Sequence, residues 1–272
     1  MVPTAPRVLV TRAAHDARRW VADLQHHGIA ATALPLIDIA PVQAPALREA
    51  LEQARRRWSH YRAIMFVSRN AVEHFFEQNE ALALAQQAPA AIKTRCWAPG
   101  PGTAHALQAC GVAPALVDGP PPDAAQFDSE ALWGQVAPQI RPGDRVLVVR
   151  GAGDPATAGG HGRNWLAAQL AAAGASVQFV AAYERRAPAF QPAQEALARA
   201  GASDGSLWLF SSSEALGHLL AWLPDQGWNG AHALTTHPRI AQAARAAGFA
   251  DVTDCRPTVD DVAASIKSRH EH

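Results

Sequence analysis

A chain of 272 residues is long for one hydrophobic core and comfortable for two, which favours two domains. Its 24 Lys and Arg balance 24 Asp and Glu, which excludes a global basic field for nucleic acid or an anionic membrane, so an anionic ligand must be met by a local cluster. The three cysteines, Cys96, Cys110 and Cys255, are odd in number and form no CxxC, which argues against a disulfide framework or a zinc site and fits a reducing cytoplasm.

Taken in chain order, the N-terminus runs directly into an apolar strand at Val8–Val10 without the long apolar region of a signal peptide. A helical stretch and Gly28 follow, then PLIDI and a Pro-flanked segment, Asp38–Pro41, that reads as a linker. Further strands are expected at Ile64–Val67, Val146–Val149 and Leu207–Phe210, each followed by helix-compatible, alanine-rich sequence. Strands alternating with helices indicate parallel sheets flanked by helices. Asp118–Asp128 and Ala152–Gly162, rich in Ala, Pro and Gly, read as loops. Asn164–Tyr183 carries no charge over a length that would just span a bilayer, but Gly174 divides it, so it reads as a buried helix, turn and strand. Glu184–Pro188 reads as a second linker.

Three pairs of segments resemble one another. RVLVTR from Arg7, with the helix, glycine and strand that follow, matches RVLVVR from Arg145. IMFVSRNAVEHFF from Ile64 matches LWLFSSSEALGHLL from Leu207, and CWAPGPGTAHALQACGV from Cys96 matches ALTTHPRIAQAARAAGF from Ala233. The period is too long for a solenoid, so a duplicated α/β unit is the economical reading. The boundary has two solutions: a serial split near Arg141–Asp144, or a chain that crosses between domains twice, at the two linkers.

In parallel α/β sheets, ligands bind beyond the carboxyl ends of the strands, where helix N-termini present free N–H groups. The residues there are Thr11 and Arg12, Ser68 to Asn70, Gly100 to Thr103, Arg150 and Gly151, Ser211 to Ser213, and Thr235 to Arg239. This set is rich in hydroxyls and arginine and poor in acids and thiols, which suits carboxylate ligands and not metal-hydroxide or acid-pair chemistry. The competing reading makes Ser68, Ser129 and Ser211 to Ser213 helix N-caps and nothing more. GPGTA at Gly100–Ala104 lacks the spacing and the lysine of a phosphate loop. Neither GxSxG nor HExxH is present. His26 and His27 sit near a helix end with no evident carboxylate, which points to a solvated or C-capping role. Tyr183, one of two tyrosines, ends a strand at the second linker, either as an interfacial aromatic or as a hydroxyl donor.

The order of short motifs resembles the uroporphyrinogen-III synthase family: VLVTR with a downstream PLIDI, FVSRNAV, GPGTAxAL, VLVVRG with GRxxL, AAYERRAP, FSSSEAL and HPRIAQAARAAGF, over about Val8 to Ile266. The resemblance implies two similar parallel-sheet, flavodoxin-like α/β domains joined by a two-stranded linker. Domain 1 would comprise 1–37 with 187–272, domain 2 would comprise 42–182, and 38–41 with 183–186 would link them. It implies a lyase that needs no cofactor and closes hydroxymethylbilane to uroporphyrinogen III, with inversion of ring D and loss of water, in tetrapyrrole (haem) biosynthesis. The implied protein is a cytoplasmic monomer with no nucleic-acid or membrane partner, in transient contact at most with the synthase that makes the bilane.

Carried over by position, Tyr183 falls on the family's linker tyrosine, a candidate acid for hydroxide departure. Arg12 and Arg150 match the arginines after the duplicated strands, Ser68 and Asn70 the serine-asparagine turn, Thr103 the GxxT threonine, Ser211 and Ser212 the Thr-Ser pair, and Arg239 the PRI arginine. Thr236 joins them as a substrate-binding hydroxyl. Val67 replaces the family's Thr, Phe210-Ser211 stands where many members carry Thr-Ser, and 152–160 looks inserted beside Arg163. Two readings of other classes compete: a two-lobed, non-enzymatic binder of a small polyanion, and a nucleotide-dependent enzyme using the GPGTA turn.

Overall fold

The structure, a computed structural model, describes residues 7–76, 94–121, 124, 126–152 and 161–269, without the side chains of 161–164. The chain divides into two compact units, Met1–Asp38 with Arg186–His272, and Ile39–Arg185, so it passes between them twice.

The described strands are β1 (Val8–Val10), β2 (Ala31–Ala33), β3 (Asp38–Pro41), β4 (Ala63–Phe66), β5 (Arg95–Trp97), β6 (Val117–Asp118), β7 (Arg145–Ala152), β8 (Ser176–Arg186), β9 (Leu207–Phe210), β10 (His232–Thr235) and β11 (Asp251–Asp254). The α-helices are α1 (Ala14–His26), α2 (Pro45–Arg56), α3 (Arg69–Phe75), α4 (Pro101–Ala109), α5 (Ser129–Val136), α6 (His161–Ala172), α7 (Pro192–Gly201), α8 (Ser213–Trp222), α9 (Pro238–Ala246) and α10 (Val259–Ser268).

In the first unit a parallel sheet runs β11-β10-β9-β1-β2. Counted along the chain within the unit, this is the flavodoxin order 2-1-3-4-5. In the second unit the sheet runs β3-β8-β7-β4-β5-β6. The repeated segments explain the relation between the two: β1 matches β7, β9 matches β4, and β10 matches β5. Laid side by side, β2-β1-β9-β10-β11 and β8-β7-β4-β5-β6 are the same spatial series. The second unit reaches it in a permuted chain order, starting at β4 instead of at the equivalent of β1.

Burial explains why the strands read as unbroken apolar runs. Every residue of β1, β4 and β9 is buried, because helices cover both faces of a parallel sheet. In the second unit the strand alternation sorts the core into two layers. Ile64, Phe66, Leu147 and Val149 pack with α2, α3 and α4 on one face, while Ala63, Met65, Val146 and Val148 pack with α5 and α6 on the other. Gly174 divides α6 from β8 at φ +81° as the turn requires, and a Cβ there would lie 3.1 Å from Pro142. Among the described residues no helix is long and apolar enough to cross a membrane.

Several sequence expectations are corrected. Asp38–Pro41, read as a linker, is strand β3, which lies beside β8, and Glu184 to Arg186 complete β8 while Ala187 and Pro188 lie beyond it. Asp118 ends β6 and Ala152 ends β7, so neither belongs to a loop. The cap of α5 is Asp128, whose carboxylate accepts from the N–H groups of Glu130 and Ala131 at 3.0 and 2.8 Å, while Ser129 is buried as the first helical residue. His27 stands at the C-cap of α1 as one of its two expected roles, but it does have a carboxylate nearby: its Nε2 lies 3.3 Å from Asp260 on α10. Residues 153–160, His270, His272 and the Arg163 side chain lie outside the described set.

Candidate functional site

Each sheet has one point where the chain turns away in opposite directions from adjacent strands, between β1 and β9 in the first unit and between β4 and β7 in the second. The crevice above such a point is where open α/β sheets bind ligands. The sequence-derived residues fall there and one strand further along.

In the first unit Arg12 follows β1, Ser211 and Ser212 follow β9, and Thr236 and Arg239 follow β10. The Thr11 hydroxyl donates to the Leu209 carbonyl at 2.7 Å and the Thr236 N–H to the Phe210 carbonyl at 3.1 Å, which ties the three strand ends together. Ser212 caps α8 by accepting from the Glu214 N–H at 3.2 Å. The capping reading is therefore correct for Ser212 as a local role, whereas Ser211 precedes the cap. Arg239 is exposed on α9, and its N–H donates to Nδ1 of His237, the helix cap.

Arg12 is the most unusual cation of this edge. Its guanidinium lies 4.1 Å from the Trp20 ring centroid, Nε is buried without a hydrogen-bond partner, and no ion pair reaches it among the described residues. Burial pushes its pKa down to about 10, against the smaller opposing pull of Asp16. It stays protonated at neutral pH.

In the second unit Ser68 and Asn70 follow β4, Thr103 lies buried in the first turn of α4, and Arg150, expected beyond its strand, lies within β7 paired with Ala181, its guanidinium 4.7 Å from the Phe179 ring centroid. Arg12 and Arg150 thus share both their place in the repeat and their seat over an aromatic ring.

The structure brings Ser68 and Tyr183 together: their hydroxyls are 3.3 Å apart. Ser68 also caps α3, accepting from the Ala71 N–H at 3.2 Å. A bulge places the tyrosine. Arg150 pairs with Ala181 and Gly151 with Tyr183, so Ala182 is the extra residue on β8. Strand alternation without that slip would put Tyr183 on the face opposite Val180 and Ala182. The bulge turns it onto the same face, where it is buried with α3 and its ring lies 5.9 Å from that of His74 at 29°.

On that face a cavity of about 450 Å³ is lined by Val42, Arg48, Arg55, Arg56, His74 and Ala182, among others. Arg55 is committed to the end of α3, donating to the carbonyls of His74 and Phe75 at 2.8 Å each. Arg56 sits 3.6 Å from Glu52, and Arg48 has no ion pair among the described residues.

Thiol chemistry is not arranged in this chain. Cys96 is fully buried in β5 and its pKa is pushed up to about 12 by burial, while burial also raises Cys110 and Cys255. Iodoacetamide at pH 8 is expected to leave Cys96 unmodified in the folded chain and to alkylate it only in denaturant, as read by peptide mass spectrometry. Modification of Cys96 at the rate of Cys110 or Cys255 would contradict its burial. Among the described residues no group of three His, Cys, Asp or Glu is placed to hold a metal ion.

Sequence reasoning missed Gly151 as the surface under Tyr183, His74 as its ring neighbour, and Trp20 as the support of Arg12. The alignment of AVEHFF with ALGHLL carries a trace of one of them, since it pairs His74 with His218, which bonds the Leu36 carbonyl at 2.6 Å through Nδ1.

Two α/β units of the same strand series, the second in permuted chain order, each with hydroxyls and an arginine over an aromatic ring near its switch point, define a two-domain α/β protein. The family model for uroporphyrinogen-III synthase HemD matches residues 18–264, and the chain belongs to the uroporphyrinogen-III synthase family. A uroporphyrinogen-III synthase of Chlorobaculum parvum is 32% identical over 149 residues, 53% of each chain, so the match spans about half the length of that relative. The fold resembles that of a uroporphyrinogen-III synthetase from Helicobacter pylori (TM-score 0.54, 12% identity, 97% of this chain and 99% of that one). It also resembles that of a uroporphyrinogen III synthase from Thermus thermophilus (TM-score 0.51, 18% identity, 98% and 99%).

Proposed function

We propose that the chain is a uroporphyrinogen-III synthase, a lyase that closes hydroxymethylbilane to uroporphyrinogen III with inversion of ring D and release of water. The observation that carries this reading is the family match across residues 18–264, which also favours an enzyme over a passive polyanion binder. In this reading 1–37 with 187–272 and 42–182 act as two donor-bearing domains linked by 38–41 and 183–186. The protein works as a cytoplasmic monomer without a cofactor, in transient contact at most with the synthase that supplies the unstable bilane.

The chemistry follows from the substrate. Electron-rich pyrroles push hydroxide out and supply the nucleophilic carbon, so the chain must bind eight carboxylates, fold the bilane so that ring D presents its substituted carbon, and help the hydroxyl leave. Arg12, Arg150 and Arg239, with Ser211, Ser212, Thr103, Thr236, Asn70 and helix N-terminal N–H groups, are the carboxylate donors. Tyr183 donates the proton that converts departing hydroxide into water.

The test supplies freshly made hydroxymethylbilane and resolves the product isomers. Uroporphyrinogen III should dominate, because spontaneous closure gives isomer I. Isomer I alone, at the rate without protein, would sink the assignment.

Arg12→Met separates binding from folding. Loss of a charge-assisted hydrogen bond of about 1.5–3 kcal/mol should raise KM for the bilane roughly 10- to 100-fold. Because the buried charge has no ion pair among the described residues and only the Trp20 ring and the weaker pull of Asp16 to offset its burial, Tm should change little. A fall of several degrees in Tm with unchanged KM would make Arg12 a structural residue.

A further inference from the structure

We infer that Gly151 and His74 are positioning residues that fix the Tyr183 ring so that its hydroxyl stays beside Ser68. The inference rests on the reading of Tyr183 as the proton donor and adds what holds it in place.

Three walls form the seat. The first is Gly151: a Cβ built there would lie 2.9 Å from Tyr183 Cε2, 3.1 Å from Cζ and 3.4 Å from the hydroxyl oxygen. Glycine is needed here for space and not for backbone freedom, since its φ is outside the left-handed region. The second is His74, whose ring covers the tyrosine at 5.9 Å with an offset-stacked geometry. The third is Ser68, which α3 holds through its capping bond and whose hydroxyl is 3.3 Å from that of Tyr183.

These walls are coupled to the bulge. The slip between Arg150 and Gly151 lets Tyr183 leave the strand alternation, and it also sets Gly151 directly across from it. A side chain at 151 would push the ring away from the strand, and the 3.3 Å hydroxyl contact is already near the limit of a hydrogen bond. The Arg55 bonds to the carbonyls of His74 and Phe75 fix the end of α3 that carries the stacked imidazole. Ser68 accordingly acts on Tyr183 first. Its oxygen accepts from the Ala71 N–H as the helix cap and meets the tyrosine hydroxyl, either of the two being able to donate.

The chain offers a clean readout, because Tyr61 and Tyr183 are its only tyrosines. In a Tyr61→Phe background, tyrosine labelled with ¹³C at Cζ gives one NMR resonance, from Tyr183. Gly151→Ala should move that resonance and lower kcat on the order of tenfold with KM within about twofold, as a small misplacement of a catalytic group does. His74→Phe, which keeps an aromatic face, should retain more of kcat, and a resonance nearer the starting position, than His74→Ala. An unmoved resonance with unchanged kcat in Gly151→Ala, or identical behaviour of the two His74 variants, would overturn the inference. Tyr183→Phe separates the two ideas: full activity there removes the proton-donor reading, while the Tyr183 resonance in the Gly151 and His74 variants, which keep the tyrosine, still reports whether the seat exists.

Discussion

Tyr183→Phe should lower kcat by about 10²- to 10⁴-fold, the range a positioned general acid contributes, with KM nearly unchanged. The reasoning is local. The ring remains between Gly151 and His74 whether or not it carries a hydroxyl, so the bilane meets the same surface and only the proton is missing. The variant should fold normally, because the lost contact to Ser68 is a single neutral bond at 3.3 Å, worth no more than about 1 kcal/mol. Slower catalysis also leaves more bilane to close spontaneously, so isomer I should rise in the product. Stopped-flow kinetics at saturating bilane with isomer analysis checks both effects. A kcat within twofold of the unmodified chain, with isomer III still dominant, would reduce Tyr183 to an aromatic spacer.

Much of the fold could be read because burial leaves a mark on composition. Val8–Val10 and Leu207–Phe210 are apolar without interruption since both sheet faces are covered, and the structure bounds those strands as expected. Gly174 marked its turn because few other residues take a positive φ. The repeated segments landed on equivalent strands of the two sheets, which is why similar strand ends recur in each unit.

What the sequence hid is register. A bulge changes the face of Tyr183 through one extra residue, Ala182, and an alanine on either face of β8 looks the same in sequence. The pairings of Arg12 with Trp20 and of His27 with Asp260 depend on how side chains are aimed and on which distant helices meet. Caps were half legible: Asp128 and Ser129 are both cap formers, and only the burial of Ser129 decides between them.

Trp208→Ala should be the most destabilising single change in the first unit, at about 3–5 kcal/mol for the lost ring plus about 1 kcal/mol for a stranded carbonyl. Trp208 is fully buried in β9, and its indole N–H donates to the Gly201 carbonyl at 2.8 Å. The ring fits because residue 201 has no side chain: a Cβ there would come within 3.3 Å of the indole and 2.6 Å of Leu9. Around it Phe210 stacks, while Trp228 and Phe249 meet it edge-on and stack on each other. Truncation leaves that aromatic cluster without its centre, on the strand paired with β1 and β10. Trp208→Phe keeps part of the volume but not the donor, so it should fall between the parent and the alanine variant. Urea denaturation measures the loss, and hydrogen exchange should show protection falling most in β1, β9 and β10. A loss under about 1 kcal/mol would mean that the cluster collapses onto the gap, and that the ring's packing is not what orders this sheet.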